Sequence, residues 1–264
     1  MSTPKPEKDS GSLARGLAVL QAVVAAMRPV TLSEISEATV LPTSTCHRLL
    51  VALLDSGHVF KIDATRYCPS PQALAPLSLD HPLNMLRRDV GHLLMNLQQT
   101  HGASALLIVF MGQARLVVDY VPGGGHLAPY FNTVVQSPLH ASVSGKLLLA
   151  AVAAEQREPL LGDGPLQRCT RFTQCDRAQL RVELDEVAAR HWATNLDEHL
   201  VGVRAVGVHL LAPSGAAMGA LVLSGAARQF EGRTEAMLED LQQASRLLTD
   251  TAQSTRALAR LLNR

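Results

Sequence analysis

Aromatic residues are scarce in this sequence, which has one Trp, three Tyr and five Phe among its 264 residues. Because they make up only 3% of the chain, the walls of any small-molecule pocket must be mostly aliphatic. No apolar run approaches the roughly 18 residues of a membrane-spanning helix. The polar N-terminus also lacks the apolar segment of a signal peptide. These absences predict a soluble, cytoplasmic protein that does not enter a membrane.

Cysteine is also rare, and its spacing is uninformative. The four cysteines form no Cys-x-x-Cys pair: they are Cys46, Cys68, Cys169 and Cys175. We expect reduced structural thiols, as in cytoplasmic proteins. The sequence predicts no metal site and no cofactor.

Neither sign of charge is in excess. The chain has 24 Lys and Arg against 23 Asp and Glu, a net charge of +1. Its first 75 residues hold seven basic and six acidic residues, again a difference of +1. Any affinity for nucleic acid must therefore come from where individual charges lie. With 47% hydrophobic residues, the chain can fill the core of one large or two modest domains.

The stretch from Thr31 to Gly57 has the pattern of two short helices joined by a tight connection. Thr31 and Glu34 have the spacing of a capping box, and Pro42 is placed to begin the second helix. Gly57 is expected to end that helix. In the second helix, apolar residues recur every three or four positions and form one stripe: Cys46, Leu49, Leu50, Leu53 and Leu54. The pattern predicts a helix-turn-helix.

The opposite face of the second helix is polar. Short hydroxyls, an imidazole and a guanidinium on its first turns suit phosphate and base-edge contacts in a DNA major groove: Thr43, Ser44, Thr45, His47 and Arg48. An ordinary helical hairpin with a solvated polar face produces the same spacing, so both interpretations stay open at this point.

The flanking residues favour DNA binding. Residues 58–68 have the pattern of a strand, a polar turn and a second strand. A hairpin directly after a recognition helix is the wing of a winged helix-turn-helix. Lys61 and Arg66 lie beside its tip, where they can contact phosphates. Upstream, an apolar stripe predicts the third helix of the bundle: Leu13, Leu17, Leu20 and Val24.

Prolines between residues 69 and 82 indicate a domain boundary. A helical pattern follows from Leu83 to about Thr100, and its stripe can pack on the next domain or on a second chain: Leu86, Val90, Leu93 and Leu97. Strands then mix with helices, including a strand from Tyr130 to Gln136 and a long last helix from about Gly232 to Leu262. This mixture, with several tight hairpins, predicts an α+β domain on a mainly antiparallel sheet.

Enzyme motifs are missing or incomplete. The segment 142–146 resembles the end of a P-loop, but His140 and Leu147 stand where the motif needs Gly and Ser or Thr. Neither GxSxG nor HExxH occurs. Residues 197–199, Asp-Glu-His, carry acid, base and metal-ligand groups, yet adjacent loop residues seldom converge on one atom. No catalytic residue is assigned. A small-molecule enzyme that uses its helix-turn-helix only for protein contacts is the alternative function.

The stretch from His140 to Lys146 is better suited to binding than to catalysis. It places Ser142, Ser144 and free backbone N–H groups at the start of a helix, where a carboxylate is stabilised. Lys146 either supplies a counter-ion or points to solvent.

Six short motifs occur along the chain in a fixed order: SLARGL (12–17), TLSEI (31–35), LPTSTCHRLL (41–50), LHASVSGK (139–146), GVR (202–204) and GALVLSG (219–225). Together they resemble the IclR family of bacterial transcriptional regulators, whose effector-domain motif LHATALGK is similar to residues 139–146. The resemblance covers most of the chain, from about Ser12 to the last helix.

The resemblance implies a four-part organisation. A disordered tail (1–10) precedes a winged helix-turn-helix domain (11–75), a linker and connecting helix (76–100) and a GAF-like effector-binding domain (101–264). The N-terminal motifs add Arg15 and Ser33 to the DNA contacts. A dimer or tetramer on a palindromic operator of double-stranded DNA is expected, because one recognition helix reads too few bases.

The resemblance also implies that a small organic acid modulates operator binding. In the family, the segment 140–146 borders the effector pocket, and the positions carried over to this chain are His140, Ser142, Ser144, Gly145, Lys146, Asn195, Ala205, Val222 and Ser224. Family patterns often have Asp, Cys and Ser where this chain has Asn195, Ala205 and Val222. We therefore expect a less acidic and more apolar pocket, which takes a larger, partly hydrophobic acid such as an aromatic acid.

Overall fold

The computed structural model of the chain describes residues 11–70, 73, 79–124 and 135–263. They form two compact units that divide between Leu79 and Asp80. The predicted tail at residues 1–10 and most of the strand predicted from Tyr130 to Gln136 lie outside this description. Both units contain helices and an antiparallel sheet, which confirms the α+β class.

The first unit combines three helices with a small sheet. Its elements are α1 (Ser12–Ala25), β1 (Val30–Thr31), α2 (Leu32–Thr39), α3 (Thr43–Asp55), β2 (Val59–Lys61) and β3 (Arg66–Pro69). The sheet is antiparallel with β3 in its centre, and the hairpin of β2 and β3 is the predicted wing. The predicted winged helix-turn-helix is confirmed. The short strand β1 is an addition that the sequence pattern did not indicate.

The helices of the helix-turn-helix begin and end close to their sequence signals. Thr31 and Glu34 form a reciprocal capping box at the start of α2. Helix α3 begins at Thr43, one residue after the predicted Pro42, and its apolar stripe faces the core. Gly57 has a φ of 74°, a left-handed conformation that costs glycine little and lets the chain turn from α3 toward β2.

The inner face of α1 differs from the prediction. The predicted core residues Leu13 and Leu17 are 78% and 52% exposed, whereas Val19 and Val23 are fully buried. Apolar residues lie around much of this helix, so its sequence is compatible with more than one inner stripe. Packing on α2 and α3 selects the stripe that contains the two valines.

The second unit is a five-stranded antiparallel sheet with helices on both faces. Its elements are α4 (Pro82–His101), β4 (Ser104–Met111), β5 (Ala114–Val121), α5 (Val143–Ala151), α6 (Ala154–Leu161), α7 (Arg177–Arg190), β6 (Trp192–Leu196), β7 (Val203–Leu211), β8 (Ala217–Ala226), α8 (Thr234–Thr251) and α9 (Gln253–Leu261). The strand order is β5-β4-β8-β7-β6. Because β4 and β8 are neighbours, residues more than 100 positions apart in sequence lie side by side.

Alternation along the central strands divides the core into two layers. On β4, Leu107 and Val109 pack with α4, α8 and α9, whereas Leu106, Ile108 and Phe110 pack with α5. Because successive side chains of a strand point to opposite faces, the same strands contribute side chains to both layers. A near-continuous apolar run such as 105–110 is typical of a strand covered on both faces.

Helix α4 belongs to the core of the second unit. Leu86, Val90, Leu94 and Leu97 are buried against the sheet and α8, and Leu93 is partly buried beside them. Of the two alternatives for this stripe, packing within the chain is the one observed. The stripe is therefore not available for a chain–chain contact, and the helix is not a free connecting segment.

The last helix and one short helix correct the predicted elements. The predicted continuous helix from Gly232 to Leu262 is broken at Ala252, whose ψ of 125° is extended and not helical. The break lets α9 pack back on α4, where Ser254 donates a hydrogen bond to Asp89. Helix α6 was not predicted. In the described part of the chain, no helix combines the length and hydrophobicity needed to cross a bilayer.

Candidate functional site

Helix α3 presents a polar face to solvent in the first unit. Its apolar side is held against α1 and α2. Of the five residues of α3 that are predicted to contact DNA, Thr45 is half-buried and four are exposed: Thr43, Ser44, His47 and Arg48. The first turns of the helix thus present hydroxyl, imidazole and guanidinium groups to solvent, and groups of these kinds contact bases and phosphates in DNA-binding helices.

The two predicted contacts outside α3 and the wing differ in accessibility. Ser33, on the first turn of α2, is exposed. Arg15 on α1 is half-buried, and its Nε atom is buried without a hydrogen-bond partner among the residues described. The DNA contact of Arg15 stays a prediction, and it requires the part of the side chain that is still accessible.

Both basic residues of the wing, Lys61 and Arg66, contact neighbouring side chains. The Nζ atom of Lys61 lies 5.2 Å from the ring centroid of Tyr67, a cation–π contact. The Nε of Arg66 donates to Oδ2 of Asp63 at 2.6 Å, and the backbone N–H of Thr65 donates to Oδ1. These hydrogen bonds, first that of Thr65 and then that of the Arg66 side chain, lower the pKa of Asp63 to about 2. Asp63 is therefore charged at neutral pH and offsets one positive charge of the wing.

The second unit contains a cavity of about 200 Å³ between the sheet and the start of α5. Its wall is mostly aliphatic: Leu106, Ile108, Val117, Val143, Val203 and Val222. Its polar groups are largely serine hydroxyls from β4, β8 and the start of α5: Ser104, Ser142, Ser144 and Ser224. The aliphatic wall agrees with the expectation from the low aromatic content.

The cavity brings together part of the predicted effector-binding set. Six of the nine residues line it: Ser142, Ser144, Asn195, Ala205, Val222 and Ser224. They meet because β6, β7 and β8 are neighbours in the sheet and α5 packs on the same strands. The other three, which are His140, Gly145 and Lys146, do not line the cavity.

His140 and Gly145 hold the start of α5 in place. The Nε2 atom of His140 lies 2.9 Å from the carbonyl oxygen of Gln167, within hydrogen-bond distance. A Cβ atom on Gly145 would lie 2.2 Å from the carbonyl oxygen of Leu139, so only glycine permits this close approach of backbone to backbone. The structure places both residues in support of the cavity and outside its wall.

Lys146 points neither to solvent nor into the cavity. It is 1% exposed, and its Nζ donates to Oε1 of Glu183 at 2.6 Å and to Oε1 of Glu198 at 2.7 Å. It also donates to the carbonyl oxygen of Thr194 at 3.3 Å. These acceptors join α5 to α7, to β6 and to the loop after β6. The positive charge of Lys146 is thus already neutralised within the fold.

Asn195 lines the cavity, but its amide is already hydrogen-bonded. Its Nδ2 donates to the carbonyl oxygen of Ala141, and its Oδ1 accepts from the backbone N–H of Glu198 at 3.1 Å. The side chain therefore ties the segment before α5 to the loop after β6. Asn195 shapes the cavity through these two bonds.

The adjacent residues Asp197, Glu198 and His199 have three separate environments. Asp197 accepts a hydrogen bond from Nε of Arg204 at 3.0 Å, Glu198 pairs with Lys146, and His199 lines the cavity. Burial lowers the pKa of His199, and the positive charge of Arg115 lowers it further. Among the described residues, no group of three or more His, Cys, Asp and Glu side chains is placed to hold a metal ion.

Arg115 is a residue of this site that the sequence reading missed. It is 4% exposed on β5, and its Nη1 donates to Oγ of Ser142 at 2.8 Å and to Oγ of Ser144 at 3.1 Å. Burial lowers its pKa to about 10, so it stays a cation at neutral pH. The available signal was strand alternation: Arg115 stands two residues before Val117, on the face that lines the cavity.

Two family profiles match the chain, one in each unit. The profile described as bacterial transcriptional regulator IclR C-terminal matches residues 83–249, and the IclR helix-turn-helix domain matches residues 12–60. The chain belongs to the IclR family of bacterial transcriptional regulators.

Individual IclR-family proteins are similar over most of their length. The HTH-type transcriptional regulator BhcR of Paracoccus denitrificans is 28% identical over 251 residues, which span 92% of this chain and 88% of that protein. The Thermotoga maritima IclR structure has a TM-score of 0.70 and 24% identity, and the match covers 90% of this chain and 98% of that one. An IclR homolog from Microbacterium hydrocarbonoxydans, solved in complex with 4-hydroxybenzoate, has a TM-score of 0.67 and 21% identity, with 95% and 100% covered.

IclR-family membership decides between the two functions that the sequence left open. The matching families and relatives are transcriptional regulators. This chain is therefore a transcriptional regulator with a helix-turn-helix DNA-binding domain, and the alternative of a small-molecule enzyme is wrong.

Proposed function

We propose that this regulator binds a palindromic operator through α3 and the wing, and that a small carboxylic acid in the cavity of the second unit modulates this binding. The observation that carries the proposal is the cavity, which joins serine hydroxyls to an aliphatic wall. A carboxylate needs hydrogen-bond donors and a hydrocarbon body needs apolar walls, and this cavity supplies both. The protein then acts in the bacterial cytoplasm, where its DNA lies.

The acid is of the size of a single ring or a branched chain. The volume of about 200 Å³ suits one small molecule, and Ala205 and Val222 are part of the cavity wall. Ser142, Ser144 and Ser224 face the head group, and the aliphatic side chains face the body. The similar structure in complex with 4-hydroxybenzoate supports an aromatic acid as a member of this class.

Two copies of the chain are required to read a palindrome. One recognition helix contacts only a few base pairs, so useful specificity needs two half-sites one helical turn apart or more. We expect a dimer or tetramer in sedimentation at micromolar concentration. A monomer that still bound a palindromic site tightly would contradict this part of the proposal.

The DNA arm of the proposal is tested with Arg48→Ala. Because Arg48 is exposed on α3 and is not part of its buried stripe, the variant should fold normally and lose about 1–3 kcal/mol of operator-specific binding if Arg48 reads a base. Binding is measured by mobility shift on the DNA upstream of the gene and on an unrelated fragment. Arg28→Ala is the matched control, since Arg28 is exposed and paired with Glu34 outside α3. Equal operator binding by the wild type and the Arg48 variant would show that Arg48 does not contact the operator as proposed.

The effector arm is tested by calorimetric titration with small carboxylic acids. An acid that fits should bind the wild type, bind the Ser142→Ala/Ser224→Ala variant more weakly, and change operator affinity through a shift between two arrangements of the protein. If no acid binds, or if the double variant binds acids as the wild type does, the effector site lies elsewhere.

A further inference from the structure

Arg115 is a buried cation, and no carboxylate of the described residues lies beside it. Its side chain forms no ion pair within the described residues, and the sequence of residues 125–134 contains no Asp or Glu. Other cations of this unit are neutralised: Lys146 by two glutamates, Arg157 by Asp185 and Arg204 by Asp197. Arg115 thus leaves a net positive charge inside the protein.

Neutral oxygen atoms surround this charge. Besides the two serine hydroxyls, Nη1 contacts Oγ of Ser137 at 3.4 Å, and Nη2 donates to the carbonyl oxygens of Val135 and Ser137. Such dipoles replace part of the lost hydration but do not cancel the charge. A buried charge that lacks an opposite charge is costly to a fold, and an anion that enters beside it is correspondingly stabilised.

The hydrogen bonds of Arg115 lead to the cavity. Ser142 and Ser144 line it, and both hydroxyl oxygens accept from the guanidinium. An oxygen that accepts from Arg115 must direct its own proton elsewhere. Ser142 donates to the carbonyl oxygen of Pro138 at 2.8 Å, whereas the Ser144 proton has no acceptor in the part of the chain that the structure describes. Within the described residues, Ser144 therefore has an unused donor, polarised by a cation, at the wall of the cavity.

We propose that Ser144 donates this hydrogen bond to the carboxylate of the effector and that Arg115 supplies the counter-charge behind it. The inference rests on the proposed function and names the groups that recognise the acid. Arg115 acts through Ser144 and is a positioning residue. It makes the site selective for an anion over a neutral molecule of the same shape. Lys146, which the motif suggested for this role, is already paired with Glu183 and Glu198.

Acids and their neutral amides measure this selectivity. The probes are benzoate and benzamide, 4-hydroxybenzoate and 4-hydroxybenzamide, and isobutyrate and isobutyramide, titrated by calorimetry into the full-length protein. The wild type should bind the best acid more tightly than its amide. Arg115→Met should weaken the acid about 10- to 100-fold, the range of a hydrogen bond that involves a charge, and change the amide little. Arg115→Lys should restore part of the preference, and Ser144→Ala should reduce it.

The matched control is the double variant Arg204→Met/Asp197→Asn. Arg204 lines the cavity and is neutralised by Asp197, so removing both charges leaves the net charge of the site unchanged and should change acid and amide binding by similar factors. A merely structural role of Arg115 would likewise weaken acid and amide together.

The outcomes separate this inference from the proposed function. If no acid binds the wild type at millimolar concentration, the proposed function fails and the inference fails with it. If acids bind and Arg115→Met keeps the acid-to-amide ratio of the wild type, the inference is wrong while the function stands. Should Arg115→Met not fold, an unchanged ratio in both Arg115→Lys and Ser144→Ala overturns the inference. Loss of the ratio in Arg204→Met/Asp197→Asn alone would assign the counter-charge to Arg204.

Discussion

The ammonium nitrogen of Lys146 lies 2.7 Å from Oε1 of Glu198, and both side chains are almost entirely buried. Glu183 lies on the other side of the same nitrogen, at 2.6 Å. The Oε2 atom of Glu198 is buried and has no hydrogen-bond partner among the described residues. Burial raises the pKa of Glu198, and the neighbouring Lys146 opposes this effect. Lys146 thus offsets the cost of placing the carboxylates of Glu183 and Glu198 inside the fold.

Replacing Lys146 with methionine should destabilise the second unit strongly. Removal of one partner leaves uncompensated buried charge, which typically costs about 3–5 kcal/mol. The free energy of unfolding can be followed in urea by the fluorescence of Trp192, the only tryptophan of the sequence, which lies on β6 of this unit.

The double variant Lys146→Met/Glu198→Gln is the control for this loss. It removes the buried carboxylate together with the lysine, so it should be more stable than Lys146→Met alone. Equal instability of the two variants would show that Lys146 acts through packing and not through its charge.

Gly145→Ala should prevent α5 from docking on residue 139. The added Cβ would lie 2.2 Å from the carbonyl oxygen of Leu139, a backbone atom that has little freedom to move. Overpacking of this kind costs about 1–3 kcal/mol or more, and we expect a lower midpoint of urea unfolding. Gly164→Ala is the control, since its Cβ meets nothing within 4 Å. Equal midpoints would mean that the close approach is readily relaxed.

Lys61→Ala in the wing should reduce the salt dependence of DNA binding. If Lys61 contacts one phosphate, the slope of log Kobs against log salt should become shallower by about 0.9, with sequence preference unchanged. Arg66→Ala should act in the same direction, and Asp63→Asn should strengthen binding, because Asp63 neutralises Arg66. Fluorescence anisotropy at several salt concentrations measures the slope. Lost sequence preference at an unchanged slope would assign these residues to bases.

His209 should make the second unit sensitive to mild acid. Burial lowers the pKa of His209 to about 4, well below the usual value for histidine, and its Nε2 lies 2.8 Å from the carbonyl oxygen of Leu147. The unfolded chain therefore binds a proton at higher pH than the folded protein does. The contribution to stability is complete above about pH 6.5 and is lost as the pH falls toward 4, by up to about 1.4 kcal/mol per pH unit.

The variant His209→Gln should flatten this pH dependence, because glutamine keeps a hydrogen-bond donor but does not titrate. The measurement is the free energy of urea unfolding between pH 4 and about 7, followed at Trp192. The exposed His47→Gln in the first unit should leave the profile as it is. A profile unchanged in His209→Gln would mean that other groups cause the acid sensitivity.

Local signals explain why the first unit was predicted well. The capping box of Thr31 and Glu34, the turn at Gly57 and the stripe of α3 depend on neighbours within a few residues. Hydrogen bonding and helical periodicity over such distances are properties of the sequence itself. Where local apolar patterns allowed two solutions, as on α1, the choice between Leu17 and Val19 was made by packing.

Helix periodicity explains which predicted effector positions line the cavity and which do not. Ser142 and Ser144 face the cavity, whereas Gly145 and Lys146 lie on other sides of the same helix start. The motif contains all of these positions, but successive residues at the start of a helix point in different directions. Only the contacts of α5 with Leu139, α7 and the sheet decide which direction meets the ligand.

The sequence by itself determined the α+β class, the winged helix-turn-helix and the family, because these follow from short-range patterns and motifs. Tertiary structure alone decided the partners of the buried charges. Arg115 meets Ser142 across 27 positions and Lys146 meets Glu198 across 52. A buried cation is neutralised where the fold places carboxylates beside it. Where the fold supplies only neutral oxygens, their hydrogen bonds offset part of the desolvation cost and the charge can still attract an anion. No spacing along the chain encodes that difference, and it is what distinguishes Arg115 from Lys146.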